Sequence, residues 1–472
     1  MLFNSIIFAV FATVFFVIYN LSKNNQKLKW IVITIFSFIF YGWWDWRFLF
    51  LILFSGILDY ISAKYMYRSK RFFLWLSLIG NIGCLSIFKY STFFANNIDW
   101  LMRSIGIESS LSANINTFSI VLPVGISFYT FQSMSYTIDV YKGKMKPVKN
   151  LFLFFSYLSM FPQLVAGPIV RARDLFPQLL KNRKVTTVEN WNGLKLIVFG
   201  FFKKTVIADN LAPFVNEAFR LNNEIDSTIY WFFVISCFAF QIYFDFSGYS
   251  DIARGLAKWM GLHFKLNFNH PYLSFSLKEF WQKWHISLST WFRVYVYIPL
   301  GGSKKGFYLG LFFMFLTMVI SGFWHGAAWT FIVWGALHGV FLGIERITKY
   351  TQYLEKYKIG KPILLFIILL QVWFAWVFFR AENIEQAFSI CRYMLSFNFD
   401  LSFINYSTRM ANAFFFFLLG VVFEYCFLIG TRRFLFKRTN FVLMLDVLII
   451  SVITVACIFL RGPQSDFIYF QF

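Results

Sequence analysis

Charge is what this chain has least of. Asp, Glu, Lys and Arg make up 14% of its 472 residues, whereas about a quarter of a soluble domain is charged. A surface so poor in charge cannot hydrate a chain of this size, so lipid must solvate much of it. Cysteine is sparse as well: Cys84, Cys237, Cys391, Cys426 and Cys457 stand singly, mostly in apolar runs. With no CxxC and no Cys/His pair at metal-ligand spacing, they read as small buried hydrophobes, and neither a disulfide framework nor a metal is expected. No GxSxG elbow, Walker A loop, HExxH helix or dinucleotide fingerprint occurs, which leaves metal, nucleotide-hydrolysis and redox chemistry poorly supported. Nor is there a repeat, a low-complexity linker or a soluble domain, so residues 1–472 read as a single membrane-embedded domain.

Apolar residues fill the space that charge leaves. They reach 58%, and 68 residues are Phe. About 20 apolar residues carry a helix across the hydrocarbon core. Spans are predicted at 2–20, 30–46, 47–63, 72–95, 119–141, 230–250, 307–324, 327–344, 362–379, 410–430 and 441–461. Segments 150–167 and 194–218 are interrupted by Pro, Gly and charges, the pattern of re-entrant helices covered by protein. The run Leu2 to Tyr19 has no basic flank or small-residue cleavage site and is expected to be a retained span.

Lys and Arg outnumber Asp and Glu 44 to 22, a net charge of +22. Their clusters at Lys23–Lys29, Lys64–Arg71, Lys142–Lys149, Arg171–Lys195, Lys304–Lys305, Arg346–Lys361 and Arg432–Arg438 alternate with basic-poor loops at 96–118, 221–229 and 381–407. By the positive-inside rule the basic loops face the cytosol, the N-terminus starts outside, and nucleic acid need not be invoked. A basic cytosolic face also attracts a polyanion such as coenzyme A.

The chemistry-bearing residues concentrate in two stretches. In SGFWHGAAWTFIVWGALHG, His325 and His338 lie in or beside apolar helices, where an ionisable group is costly and is a functional candidate. Gly322 and Gly326 flank His325 and permit close approach, and Trp324 and Trp329 are expected to wall it. An imidazole can accept a hydroxyl proton near neutrality. His338, 13 residues later, reads as structural or as a second cavity residue. The other stretch, 251–305, reads as amphipathic helices, with Leu277, Phe280, Trp281, Trp284 and Leu288 at helical spacing. His285 there belongs either to an interfacial aromatic stripe or to the cavity of His325. Lys283 and Arg293, with Trp284 and Asn269, are candidates to hold an anionic cofactor. Asp209, Asp245 and Asp251 are expected to pair with Lys203, Lys204 or Arg254, and Asp245 is also a candidate cavity residue.

These stretches resemble the membrane-bound O-acyltransferase (MBOAT) superfamily, in the bacterial branch of the alginate and peptidoglycan O-acetyltransferase membrane subunits. The resemblance rests on Phe280–Gly302 (FWQKWHISLSTWFRVYVYIPLGG), Gln241–Gly255, Val121–Tyr141, Gln163–Arg173 and Ser321–Gly339, in the family's order. It implies an all-α, ring-like bundle of about 11–13 membrane-embedded helices with short amphipathic and re-entrant helices. The core would span about 115–390, with additional spans at 410–461. It implies that His325 matches the catalytic histidine and His285 the second polar position. Acetyl-CoA would be the cytosolic donor, a cell-envelope or secreted polysaccharide the extracytoplasmic acceptor, and an SGNH-type periplasmic or surface acetyltransferase the partner, at the bacterial inner membrane. One departure stands out: the branch usually carries Asp after the Arg of WFRDY, and here that position is Val294. D-alanyl transfer to teichoic acid from a carrier protein, a proton-coupled secondary transporter and an inert scaffold are the competing readings.

Overall fold

A computed structural model describes the whole chain except residues 2, 23, 118–122, 124, 165–166, 222–224, 402–407, 434–439 and 469–472. The start of the Val121–Tyr141 motif, two positions of Gln163–Arg173, parts of the loops 96–118, 221–229 and 381–407, and parts of the basic clusters Lys23–Lys29 and Arg432–Arg438 lie outside the described residues.

The described residues are helical and contain no strand. Seven described helices are long and apolar enough to cross a membrane: Trp46–Tyr65, Lys70–Ser104, Thr228–Trp259, Phe307–His325, Trp329–Thr348, Gly360–Arg380 and Arg409–Leu428. Shorter helices stand at the other predicted spans: Ile6–Leu21, Gln26–Gly42, Ile126–Tyr141 and Leu443–Phe459. The predicted break in 150–167 falls between Leu151–Leu158 and Phe161–Leu164. The one predicted in 194–218 does not occur. Helix Thr187–Phe201 passes through a π-turn at Phe202–Ala208 into Asp209–Arg220, so the helical path continues through Gly200 and Pro213. Its start is a capping box: Thr186 Oγ1 accepts the Glu189 N–H, and Glu189 accepts the Thr186 N–H at 3.0 Å. That N–H holds the Glu189 carboxyl below its ordinary range.

The chain divides into two compact units, Met1–Gly193 with Ala253–Lys265, and Leu194–Ile252 with Leu266–Phe472. In the first, Phe161 packs among Phe11, Phe15 and Phe40, with ring centroids 4.9–5.6 Å away. Fully buried Asp59 accepts from Ser77, Asn81 and Ser133, which ties three helices together.

The second unit is organised by close backbone approach. A Cβ on Gly322 would lie 2.2 Å from the Phe331 carbonyl oxygen, and one on Gly335 would lie 2.3 Å from that of Met318. Helices Phe307–His325 and Trp329–Thr348 therefore cross backbone to backbone, which only the missing side chains permit. Gly200 and Gly248 do the same for their helices: a Cβ on either would meet the other's carbonyl oxygen at 2.5–2.7 Å. We expect Gly335→Val to destabilise the protein by about 1–3 kcal/mol through overpacking, read as a lowered thermal midpoint in detergent. Gly343, on the same helix with no atom within 4 Å of its would-be Cβ, is the control: Gly343→Ala should leave the midpoint unchanged or raise it.

Candidate active site

His325 is the last residue of its helix, because Gly326 turns extended (φ −159°, ψ 149°). The glycine-permitted crossing then closes aromatic walls on the imidazole. Its ring centroid lies 5.0 Å from Trp324, 5.0 Å from Trp334 and 5.3 Å from Phe379, and the residue is 4% exposed. Trp334 lies between two histidines: His338 is 5.0 Å from its ring and is fully buried. His338 also packs against Trp281 at 5.0 Å and Phe280 at 6.3 Å. Residues 334 and 338 share a helix face, being four apart, so one indole joins both histidines to the same cluster.

Trp329, expected in the wall, opens its helix and is 55% exposed, so Trp334 occupies that place instead. The cluster carries unspent polarity. Among the described residues, the indole nitrogens of Trp334 and Trp376 and both ring nitrogens of His338 are buried without a hydrogen-bond partner. Buried unpartnered polar atoms of this kind are uncommon in native proteins and call for an explanation.

The predicted amphipathic run 277–288 is two helices, Leu277–Lys283 and Ile286–Phe292, joined at Trp284 and His285. His285 adopts left-handed backbone (φ 41°, ψ 55°), a strained state for a residue with a side chain. Surrounding bonds hold it. Asn267 accepts the Ile286 N–H on its backbone carbonyl at 2.8 Å, and its side chain accepts the Ser287 N–H and hydroxyl at 3.1 and 2.9 Å. Glu345 receives the Leu277 N–H at 2.6 Å, and Ser276 caps the same helix by accepting the Glu279 N–H at 3.0 Å. The fully buried His285 ring meets Phe246 at 4.6 Å and Phe268 at 6.0 Å. Phe268 leads through Trp284 (5.0 Å), Trp376 (5.0 Å) and Trp334 (6.2 Å) to His325. The two histidines thus stand at opposite ends of one aromatic ladder.

The other candidates separate. Trp284 is a buried rung of the ladder. Lys283 is half-buried and pairs with Glu279 at 2.7 Å. Arg293 is exposed at the start of a π-turn, next to Val294. Asn269 is exposed and donates its backbone N–H to Lys283, while Asn267, two residues earlier, is the buried one. A groove of about 600 Å³ opens beside these helices, lined by Phe275, Ser276, Lys278, Glu279, Gln282, Glu355 and Lys361.

The expected ion pairs form. Lys203 meets Asp251 at 2.7 Å, and Lys204 meets both Asp209 (2.9 Å) and Asp245 (2.7 Å). Asp245 is therefore engaged in a buried ion cluster. Its other oxygen accepts the Ile468 N–H at 2.7 Å. This reveals a contributor that no local pattern signalled, the segment Gly462–Ile468. Gly462 donates to the Thr205 carbonyl, Ser465 bonds Lys204 and Asp209, and buried Phe467 lies 5.4 Å from Phe246, the ring that supports His285.

Residues 145–384 match the MBOAT, membrane-bound O-acyltransferase, family. The chain belongs to that family, and it is a multi-pass membrane acyltransferase. It is 39% identical over 416 residues to the probable alginate O-acetylase of Pseudomonas aeruginosa, covering 86% of this chain and 77% of that one. To the peptidoglycan O-acetyltransferase of Helicobacter pylori it is 34% identical over 418 residues, 81% and 77% of the two chains. To the teichoic acid D-alanyltransferase of Bacillus subtilis it is 30% identical over 252 residues, 50% and 61% of the two chains.

Removing Lys204 would leave Asp209 and Asp245 buried and short of a cation. Lys204→Met should cost about 3–5 kcal/mol and loosen the C-terminal segment. Faster proteolysis after Phe459, with a lower thermal midpoint, would show it.

Proposed function

We propose that this acyltransferase moves acetyl from cytosolic acetyl-CoA, through the bacterial inner membrane, to an extracytoplasmic acceptor for O-acetylation of a cell-envelope or secreted polysaccharide. The observation that carries the reading is the set of unspent buried donors in the His325 cluster: the Trp334 and Trp376 indoles and the one N–H of the His338 ring. An acyl carbonyl entering this cluster would satisfy such donors, and they strengthen as its oxygen gains charge. The alginate and peptidoglycan O-acetyltransferases, alike over four-fifths of the chain or more, favour acetyl and polysaccharide. The D-alanyltransferases cover only about half of it.

In this mechanism His325 takes the proton of the acceptor hydroxyl as its oxygen attacks the thioester carbonyl. The tetrahedral intermediate collapses, the C–S bond breaks, and the proton leaves on the coenzyme A thiol. The aromatic walls keep water from the thioester. His285 orients the donor from the far end of the ladder. Lys283, Arg293, and Lys278 with Lys361 on the open groove, supply cations for the donor's phosphates. An SGNH-type periplasmic or surface acetyltransferase is the expected partner that delivers acetyl to the polymer.

His325→Ala should lower envelope-polysaccharide acetate, measured by mass spectrometry, at least about 100-fold. Expression and gel-filtration behaviour should be unchanged. Wild-type acetate in that variant would refute the assignment.

A further inference from the structure

A second polar site sits outside the histidine cluster. Helix Arg409–Leu428 is among the most apolar of the chain, yet it carries Glu424. Carboxylates in such a helix are costly and need a partner. One oxygen, Oε1, accepts the Tyr243 hydroxyl at 2.8 Å and lies 2.6 Å from His270 Nδ1. His270 is held for this in left-handed backbone (φ 49°) directly before Pro271. The other oxygen, Oε2, is buried and has no hydrogen-bond partner among the described residues.

Glu424 lines an apolar groove of about 580 Å³ whose walls include Phe240, Tyr272, Leu369, Trp373 and Phe417. The rim is lipid-accessible: Phe366 and Tyr425, also on the groove, are each 63% exposed. Two features put its polar end at headgroup depth. Tyr243, Tyr272, Trp373 and Tyr425 line it, and such side chains favour that level. Glu424 also precedes Arg432 on the same helix by about 12 Å at the helical rise.

We propose that this groove binds a membrane phospholipid bearing a primary ammonium headgroup, with the ammonium donating to Glu424 Oε2 and an acyl chain lying along Leu369 and Phe417. The chemistry selects the head. A carboxylate oxygen in apolar surroundings is best met by a cationic N–H donor. A choline head has the charge but no N–H, and a glycerol head has a donor but no positive charge. The inner wall of the groove, Tyr243 and Tyr272, backs directly onto Trp284, at 6.3 and 5.9 Å. A bound lipid would therefore buttress the aromatic ladder from the bilayer side.

The test uses the full-length chain in nanodiscs of equal phosphatidylethanolamine, phosphatidylcholine and phosphatidylglycerol, extracted into mild detergent, with the retained lipid quantified by mass spectrometry. The wild type should retain the ethanolamine lipid about tenfold over the choline lipid, as a charge-assisted hydrogen bond implies. Glu424→Gln, which keeps an acceptor for Tyr243, should abolish that preference. Leu369→Trp, which fills the groove without touching the carboxylate, should abolish it too, and it carries the test if the first variant does not fold. Equal retention of the three lipids, preference for the glycerol lipid, or an ethanolamine preference that survives either folded variant would overturn the proposal.

Discussion

Everything at the candidate site depends on two helices meeting without side chains between them. Gly322 and Gly335 let helices Phe307–His325 and Trp329–Thr348 touch backbone to backbone. In lipid, where apolar side chains gain little by leaving their solvent, such close packing is a main source of helix association. The crossing fixes where His325 ends its helix and turns Trp334 between His325 and His338. A small displacement would separate the indole from both imidazoles and open the cluster.

A second layer of constraint comes from buried charge. Lys203 and Lys204 stand on a π-turn and reach Asp251, Asp245 and Asp209 across the glycine contact of Gly200 with Gly248. Ion pairs in such surroundings add little net stability but are severe when broken, so they specify one arrangement. The segment Gly462–Ile468 is recruited by the same charges, and its Phe467 presses on Phe246 behind His285. Strain at His285 persists because Asn267, Ser276 and Glu345 over-determine the two short helices around it. Rigidity at one histidine is thus maintained by residues distant in sequence.

The helices were legible because hydrocarbon thickness imposes long apolar runs, and the position of His325 was legible from the Gly-flanked break between two of them. The ion pairs were readable because few charges exist and each must find another. What failed was what periodicity does not encode. Leu277 to Leu288 keep helical spacing through a point where the backbone turns left-handed. Trp329 and Trp334 are five residues apart, about 140° around a helix, so one faces outward when the other faces His325. That register was available, but not which tryptophan the neighbouring helix would meet. Nothing local distinguishes the buried Asn267 from the exposed Asn269. The contact of Ile468 with Asp245 joins positions more than 200 apart, beyond any window of local pattern.

We propose that acyl transfer takes place at the aromatic cluster around His325. The most direct measurement is a cryo-electron-microscopy density map of the chain in nanodiscs with a non-hydrolysable acetyl-CoA analogue. The analogue's carbonyl should lie within hydrogen-bonding reach of the His325 ring, with Trp334 or His338 now engaged. A fully occupied analogue whose acetyl end rests elsewhere, with the cluster unchanged, would contradict it.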